Sequence, residues 1–333
     1  MPRPPKGVTI ADVAARAGVS LATVSRTLNG NPTVDPALAE RVHEAAVALQ
    51  YTASPLARSL VLGRTQTIAV VVPDLGNPTF QEILRGLNTA AGRDGYHVLI
   101  ADSAEDVSAE RALSTQARRR TDGLILCAPR MAQDDLDALL AQLAPVVLVN
   151  RYSDAAVPVV RADYGPALRA MLDHVYGLGH RQVLYLAGVG GSASNALRLA
   201  AIAEFRAAHA DVTIDELPCG VDFDSGAQAA DAVLASEATA VLAFNDLVAM
   251  GLMSTVERRG IRVPDDLSIT GFDDIPFARY TSPPLTTAAV PAAEIGARAW
   301  EAMDRLLADG TVGPALSLLP RLEVRESTGP VRG

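Results

Sequence analysis

From Thr67 onward the chain alternates short apolar runs with segments of helical period, and few architectures accommodate that rhythm. The runs are TIAVVV from Thr67, HVLIA from His97, GLILC from Gly123, VVLVN from Val146, QVLYLAG from Gln182, AVLAF from Ala240 and SITGF from Ser268. A strand that reaches a parallel neighbour needs a crossover, usually a helix, and a parallel sheet is covered on both faces. Its strands therefore read as unbroken apolar runs. The pattern predicts an α/β body over 65–333. The runs are too many for one comfortable sheet. Their spacing divides them into two Rossmann-like lobes, lobe 1 at about 67–163 and lobe 2 at about 164–290. The tail offers a helix, PAAEIGARAWEAMDRLLA, and a strand-like LSLLPRLEVRES. These can return to either lobe; part of 291–325 is assigned to lobe 1.

Residues 1–50 read differently, as a small all-α head. Thr9 can cap IADVAARA, Gly18 breaks it, and Ser20 can cap LATVSRTLN. Pro36 opens a third helix, PALAERVHEAAVALQY, at a position where its missing N–H costs nothing. Two short helices joined by a glycine turn form a helix-turn-helix, whose second helix enters the DNA major groove. With Val24 and Leu28 turned inward, Leu21, Ala22, Ser25, Arg26 and Asn29 face outward. Arg26 suits a bidentate contact to guanine, and Leu21 and Ala22 an apolar contact to a thymine methyl. Thr9, Thr23, Ser25 and Asn29 suit phosphates. On pattern alone, a helical hairpin with a solvated arginine accounts for the same residues. Charge favours the DNA reading: the segment through Leu62 carries +2, whereas the whole chain carries −9. Residues 51–64 read as a linker.

Other classes find little support. Cys127 and Cys219 are the only cysteines and read as small hydrophobes. His43, His97, His174, His180 and His209 lack ligand spacing, so neither a metal nor a cofactor is expected. The N-terminus has no apolar h-region and no run is long enough to span a bilayer, which points to a cytoplasmic protein without a membrane partner. GVGGSA, Gly188 to Ala193, fits the outline of a dinucleotide-binding turn with Glu216 further on, leaving an NAD-dependent oxidoreductase as a remote alternative.

Two α/β lobes bind small molecules in the crevice at the carboxyl ends of their strands. The candidates that follow strands are Asn77, Phe80, Asn150, Arg198, Phe223, Asn245, Asp246 and Asp273. Amide, carboxylate and guanidinium groups with an aromatic face suit a polyol. Asp246 reads equally as a helix N-cap, and Phe223 also reads as core.

The stretch VTIADVAARAGVSLATVSRTLNGNPTVDPALAERVHEAAVALQYTASPLARSL resembles the head of the LacI/GalR bacterial transcription regulators. NPTF, DGLIL, LGHRQVLYLAG, FNDLVAMGL, RVPDDLSITGFDDIPFARYTSPPLTT and RESTGP resemble family blocks in family order. The resemblance implies a body akin to periplasmic sugar-binding proteins. It also implies that Leu21, Ala22 and Arg26 read bases. SPLARSL matches a hinge helix that folds on DNA, with Ser54 as cap, Leu56, Ala57 and Arg58 on it, and Leu60 as a minor-groove wedge. It places Phe80, Asn150, Arg198, Phe223, Asn245 and Asp273 at effector-contacting positions. Two departures stand out: Thr52-Ala53-Ser54-Pro55 in place of x-Pro-Asn at the hinge start, and Ala201-Ile202 in place of Gly-Phe after the arginine. The expectation is a homodimeric repressor of a carbohydrate-utilisation operon. It would hold a palindromic operator and answer to a sugar, or alternatively to a nucleobase or phosphorylated metabolite.

Overall fold

The computed structural model describes residues 8–28, 33–51 and 63–331. Asn29 and the hinge positions Ser54, Leu56, Ala57, Arg58 and Leu60 lie outside the described residues. The chain divides into two compact units, Met1–Thr65 and Gln66–Gly333.

The head is built from α1 (Ile10–Ala17), α2 (Leu21–Leu28) and α3 (Pro36–Ala48). The Thr9 backbone N–H donates to the Asp12 carboxylate at 2.8 Å, closing the first turn of α1. Gly18 ends α1 in the left-handed conformation, φ 65°. A Cβ there would meet the Arg41 guanidinium at 2.8 Å, and that guanidinium donates to the Ala17 carbonyl at 2.5 Å. One residue thus makes the turn and admits the clamp from α3. The Ser20 hydroxyl accepts the Thr23 N–H at 3.1 Å and caps α2. The Asp35 carboxylate accepts from Ala37 and Leu38 N–H ahead of α3, whose first residue is Pro36. Val13, Ala14, Ala17, Val24, Val42, Ala45 and Ala46 form the small core between them.

In the body, lobe 1 holds a parallel sheet of β1 (Thr67–Val72), β2 (His97–Asp102), β3 (Gly123–Cys127), β4 (Val146–Val149), β5 (Val159–Ala162) and β11 (Leu316–Leu318), ordered β11-β5-β4-β3-β1-β2. Its helices are α4 (Pro78–Arg93), α5 (Val107–Arg118), α6 (Gln133–Leu143) and, from the tail, α12 (Ala292–Asp309), which packs along α4. Lobe 2 holds β6 (Gln182–Ala187), β7 (Thr213–Pro218), β8 (Ala240–Ala243) and β9 (Ser268–Thr270), all parallel, ordered β7-β6-β8-β9. Around them lie α7 (Tyr164–Gly177), α8 (Ala193–Ala208), α9 (Phe223–Gln228), α10 (Ala230–Ala235) and α11 (Asp246–Arg258). An antiparallel pair, β10 (Thr287–Ala289) with β12 (Arg321–Glu323), sits where the chain crosses back. The central strands β1, β3, β4, β6 and β8 are almost wholly buried, as unbroken apolar runs require.

Candidate functional site

The exposed face of α2 is Leu21, Ala22 and Arg26, while Val24 is fully buried and Thr27 nearly so. The 3.6-residue period fixes this division: turning Val24 inward sends residues two and three positions away outward. Thr23 and Ser25 are half-buried at the edge of that face. The Arg26 Nε donates to the Ala22 carbonyl at 3.3 Å and lies along the helix surface. Thr9 sits at the start of α1, its hydroxyl donating to Asp12 at 2.7 Å, so that oxygen meets a phosphate only through another donor or after rotating. The α2 surface thus presents one cation, an apolar edge and small side chains, a profile that fits a groove.

In the body, a cavity of about 470 Å³ opens between the lobes at the carboxyl ends of the strands. Lobe 1 contributes Asn77, Thr79, Phe80, Glu105, Ala128, Arg130 and Asn150, and the second half contributes Tyr164, Ser194, Arg198, Val221, Phe244 and Asp273. Asn77 caps α4, its Oδ1 accepting the Thr79 N–H at 2.9 Å. Asn150 adopts φ 52°, and its Oδ1 accepts the Ala162 N–H at 2.9 Å. Each amide is held by its oxygen, which leaves the Nδ2 donors for a ligand.

Arg198 is the centre of the site. It is 2% exposed, and its guanidinium carbon lies 4.0 Å from the Phe272 ring centroid, 4.5 Å from Phe244 and 4.7 Å from Tyr164. Its Nε and Nη1 are buried without a hydrogen-bond partner. A charged donor in that state is costly unless something supplies acceptors. Asp273 faces it from the loop after β9, in a left-handed conformation, φ 110°. Burial raises the Asp273 carboxyl to about 6, against the pull of the Arg198 charge and the Thr79 hydroxyl. On the other wall Arg130 makes a bidentate pair with Glu105, both contacts 2.8 Å. The Glu110 carboxylate fixes that loop by accepting the Arg130 and Met131 N–H groups at 2.7 and 2.9 Å.

Asn77, Phe80, Asn150, Arg198 and Asp273 therefore converge on one cavity, while Phe223, Asn245 and Asp246 do not line it. The Asn245 side chain caps α11 through Val248 N–H and donates to the Val221 carbonyl at 2.7 Å, positioning a lining residue from behind. Asp246 is fully buried and accepts from Ile275 N–H at 2.8 Å and the Thr287 hydroxyl at 2.6 Å. Phe223 is 45% exposed at the start of α9. The aromatic wall comes instead from Phe244, one residue before Asn245, and from Tyr164. Both follow strands, and that position was the signal for them. Glu105 had a weaker one, a turn after β2. Glu216 of the dinucleotide outline is ion-paired to Arg206. A Cβ at Gly188 or Gly191 would lie 2.6 Å from the Phe244 ring or the Arg130 carbonyl, so packing accounts for both glycines. No group of three or more metal-ligating side chains occurs among the described residues, and no helix among them is long and apolar enough to cross a membrane.

A groove-fitting helical head and a body that closes on a small molecule define a ligand-controlled DNA-binding regulator. Residues 9–54 match the family of bacterial regulatory proteins, lacI family, and residues 172–328 match a periplasmic binding protein-like domain. The HTH-type transcriptional repressor CytR of Escherichia coli (strain K12) is 34% identical over 297 residues, 87% of each chain. The Lac repressor dimer bound to operator and the anti-inducer ONPF shares the fold with a TM-score of 0.88 at 27% identity, over 97% of this chain and 100% of that one. The regulator CelR in complex with cellobiose gives 0.70 at 27% identity, over 96% and 99%. The chain belongs to the lacI family: it is a DNA-binding transcriptional repressor with a ligand-binding effector domain.

Proposed function

We propose that this repressor acts as a homodimer on a palindromic operator and that a sugar in the body cavity controls its grip on DNA. The observation that carries the sugar reading is the charge balance of the cavity. Arg198 faces Asp273, and Arg130 is already paired with Glu105. A phosphate needs cations that no carboxylate neutralises, whereas a neutral polyol needs interleaved donors and acceptors beside an apolar face. Phe80, Tyr164 and Phe244 supply that face. On the DNA side, Leu21, Ala22 and Arg26 are the base-reading set, with Thr9, Thr23, Ser25 and Asn29 near the backbone. The 52–62 linker, with Ser54, Leu56, Ala57, Arg58 and Leu60, is the segment through which the body acts.

A thermal-shift screen of the full chain against sugars, glycosides and nucleobases tests the effector. Sugars should raise the melting temperature, and stabilisation by nucleobases alone would refute the reading. In mobility shifts on symmetric DNA, Arg26→Ala should lose about 1–3 kcal/mol of discrimination between specific and random sequence. An unchanged preference removes Arg26 from the reading set.

A further inference from the structure

The body cavity has a second chamber that the sugar reading does not use. A space of about 770 Å³ adjoins it, and Asn150, Tyr164 and Ser194 line both. The two spaces meet along one polar–aromatic seam. Beyond the seam the lining changes character. Ala162, Ala193 and Ala196 form a small-residue floor, and Leu197 and Tyr152 stand at its edges, 38% and 56% exposed. Large apolar side chains left open beside a ligand cavity indicate a surface that a ligand covers.

The rim is polar and held in place. Arg151 donates to the Gly191 carbonyl of lobe 2 at 3.1 Å and to the Met131 carbonyl of lobe 1 at 3.1 Å. It therefore staples the chamber's wall across the cleft. Arg161 lines the chamber without a hydrogen-bond or ion-pair partner among the described residues. A guanidinium in that position can reach a hydroxyl or a ring oxygen on a molecule seated on the floor.

We infer that the effector is a two-part molecule, a glycoside whose sugar ring fills the inner cavity and whose second ring lies in the outer chamber against Leu197 and Tyr152. This rests on the sugar reading of the inner cavity. It adds that a single ring leaves half of the site empty, and that selectivity among sugars is set partly by the substituent.

Isothermal titration of the full chain with paired methyl and p-nitrophenyl glycosides of the same sugars tests it. For the sugars that bind, the nitrophenyl member should be at least about tenfold tighter, since it buries a ring that the methyl member lacks. Leu197→Ser combined with Tyr152→Ala should bring the nitrophenyl affinity down to that of the methyl partner. Both positions are surface-exposed, so the melting temperature should hold and report an intact fold. Equal affinity of the two members, or an advantage that survives the double substitution, overturns the outer subsite and leaves the sugar reading standing. Failure of every glycoside in both series to bind overturns the sugar reading, and the outer subsite with it.

Discussion

The coupling between Arg198 and Asp273 makes the sharpest prediction. The Asp273 carboxyl is raised from 3.8 to about 6, chiefly by burial, and the guanidinium keeps it from rising further. A carboxyl whose folded value exceeds its unfolded one binds its proton more tightly when folded. Its contribution to stability is complete below about pH 4 and is lost as pH climbs through 6. At about 1.4 kcal/mol per unit, a rise of this size corresponds to roughly 3 kcal/mol. Arg198→Met removes the opposing charge, so the carboxyl rises above 6 and its loss of stability extends to higher pH. The stability gap between wild type and variant should therefore widen between pH 6 and 8, by up to about 1.4 kcal/mol per pH unit. In a chain this size that is about 2–4 °C of melting temperature per unit.

Other groups titrate in that window. Burial holds His174 and His180 below 6.5, which favours the folded state as pH rises. They are common to both proteins and cancel in the difference. The assay is thermal unfolding of the full chain by circular dichroism at pH 5, 6, 7 and 8, with Arg198→Met/Asp273→Asn as control. The control should show no widening. A gap of equal size at pH 6 and pH 8 would refute the argument, because it would mean that the two groups do not share one electrostatic site.

Two further outcomes follow from single contacts. Asp246→Ala strands the Ile275 N–H and the Thr287 hydroxyl in a fully buried position, at a cost of about 1–3 kcal/mol per donor. The body's melting temperature should fall by about 4–12 °C; a fall under 1 °C means the carboxylate is not what joins these segments. Gly18→Val forces a β-branched residue into a left-handed turn and displaces Arg41 from Ala17. Backbone strain alone costs about 1–2 kcal/mol, against a head whose core is seven small or medium side chains. The head should become protease-sensitive and specific DNA binding should weaken, with the body's own melting unchanged. Full protection of the head would count against this account of the turn.

Strands buried on both faces announce themselves in sequence, because nothing polar interrupts them. β1, β3, β4, β6, β8 and β9 coincide with apolar runs. The exceptions are edges. β5, VVRA, is four residues carrying a half-buried arginine. β7 is exposed on most positions and begins three residues before the stretch ELPCGV suggests. Edge strands need not be apolar, so period carries less information there. The cavity was legible on the same principle. A residue that follows a strand arrives at the cleft, and Asn77, Asn150 and Asp273 do so. What sequence could not separate was a side chain facing the cleft from one that braces it. Asn245, Asp246 and Phe244 are consecutive, and only the phenylalanine turns inward. The reason is local: Asn245 must cap α11, and Asp246 points back to Ile275 and Thr287. Those two hydrogen-bond demands orient the backbone and leave Phe244 to stack on Arg198. Bracing thus decides which neighbour meets the ligand, and Asp246→Ala should disturb ligand affinity through the Phe272–Asp273 segment even though its carboxylate never touches the cavity.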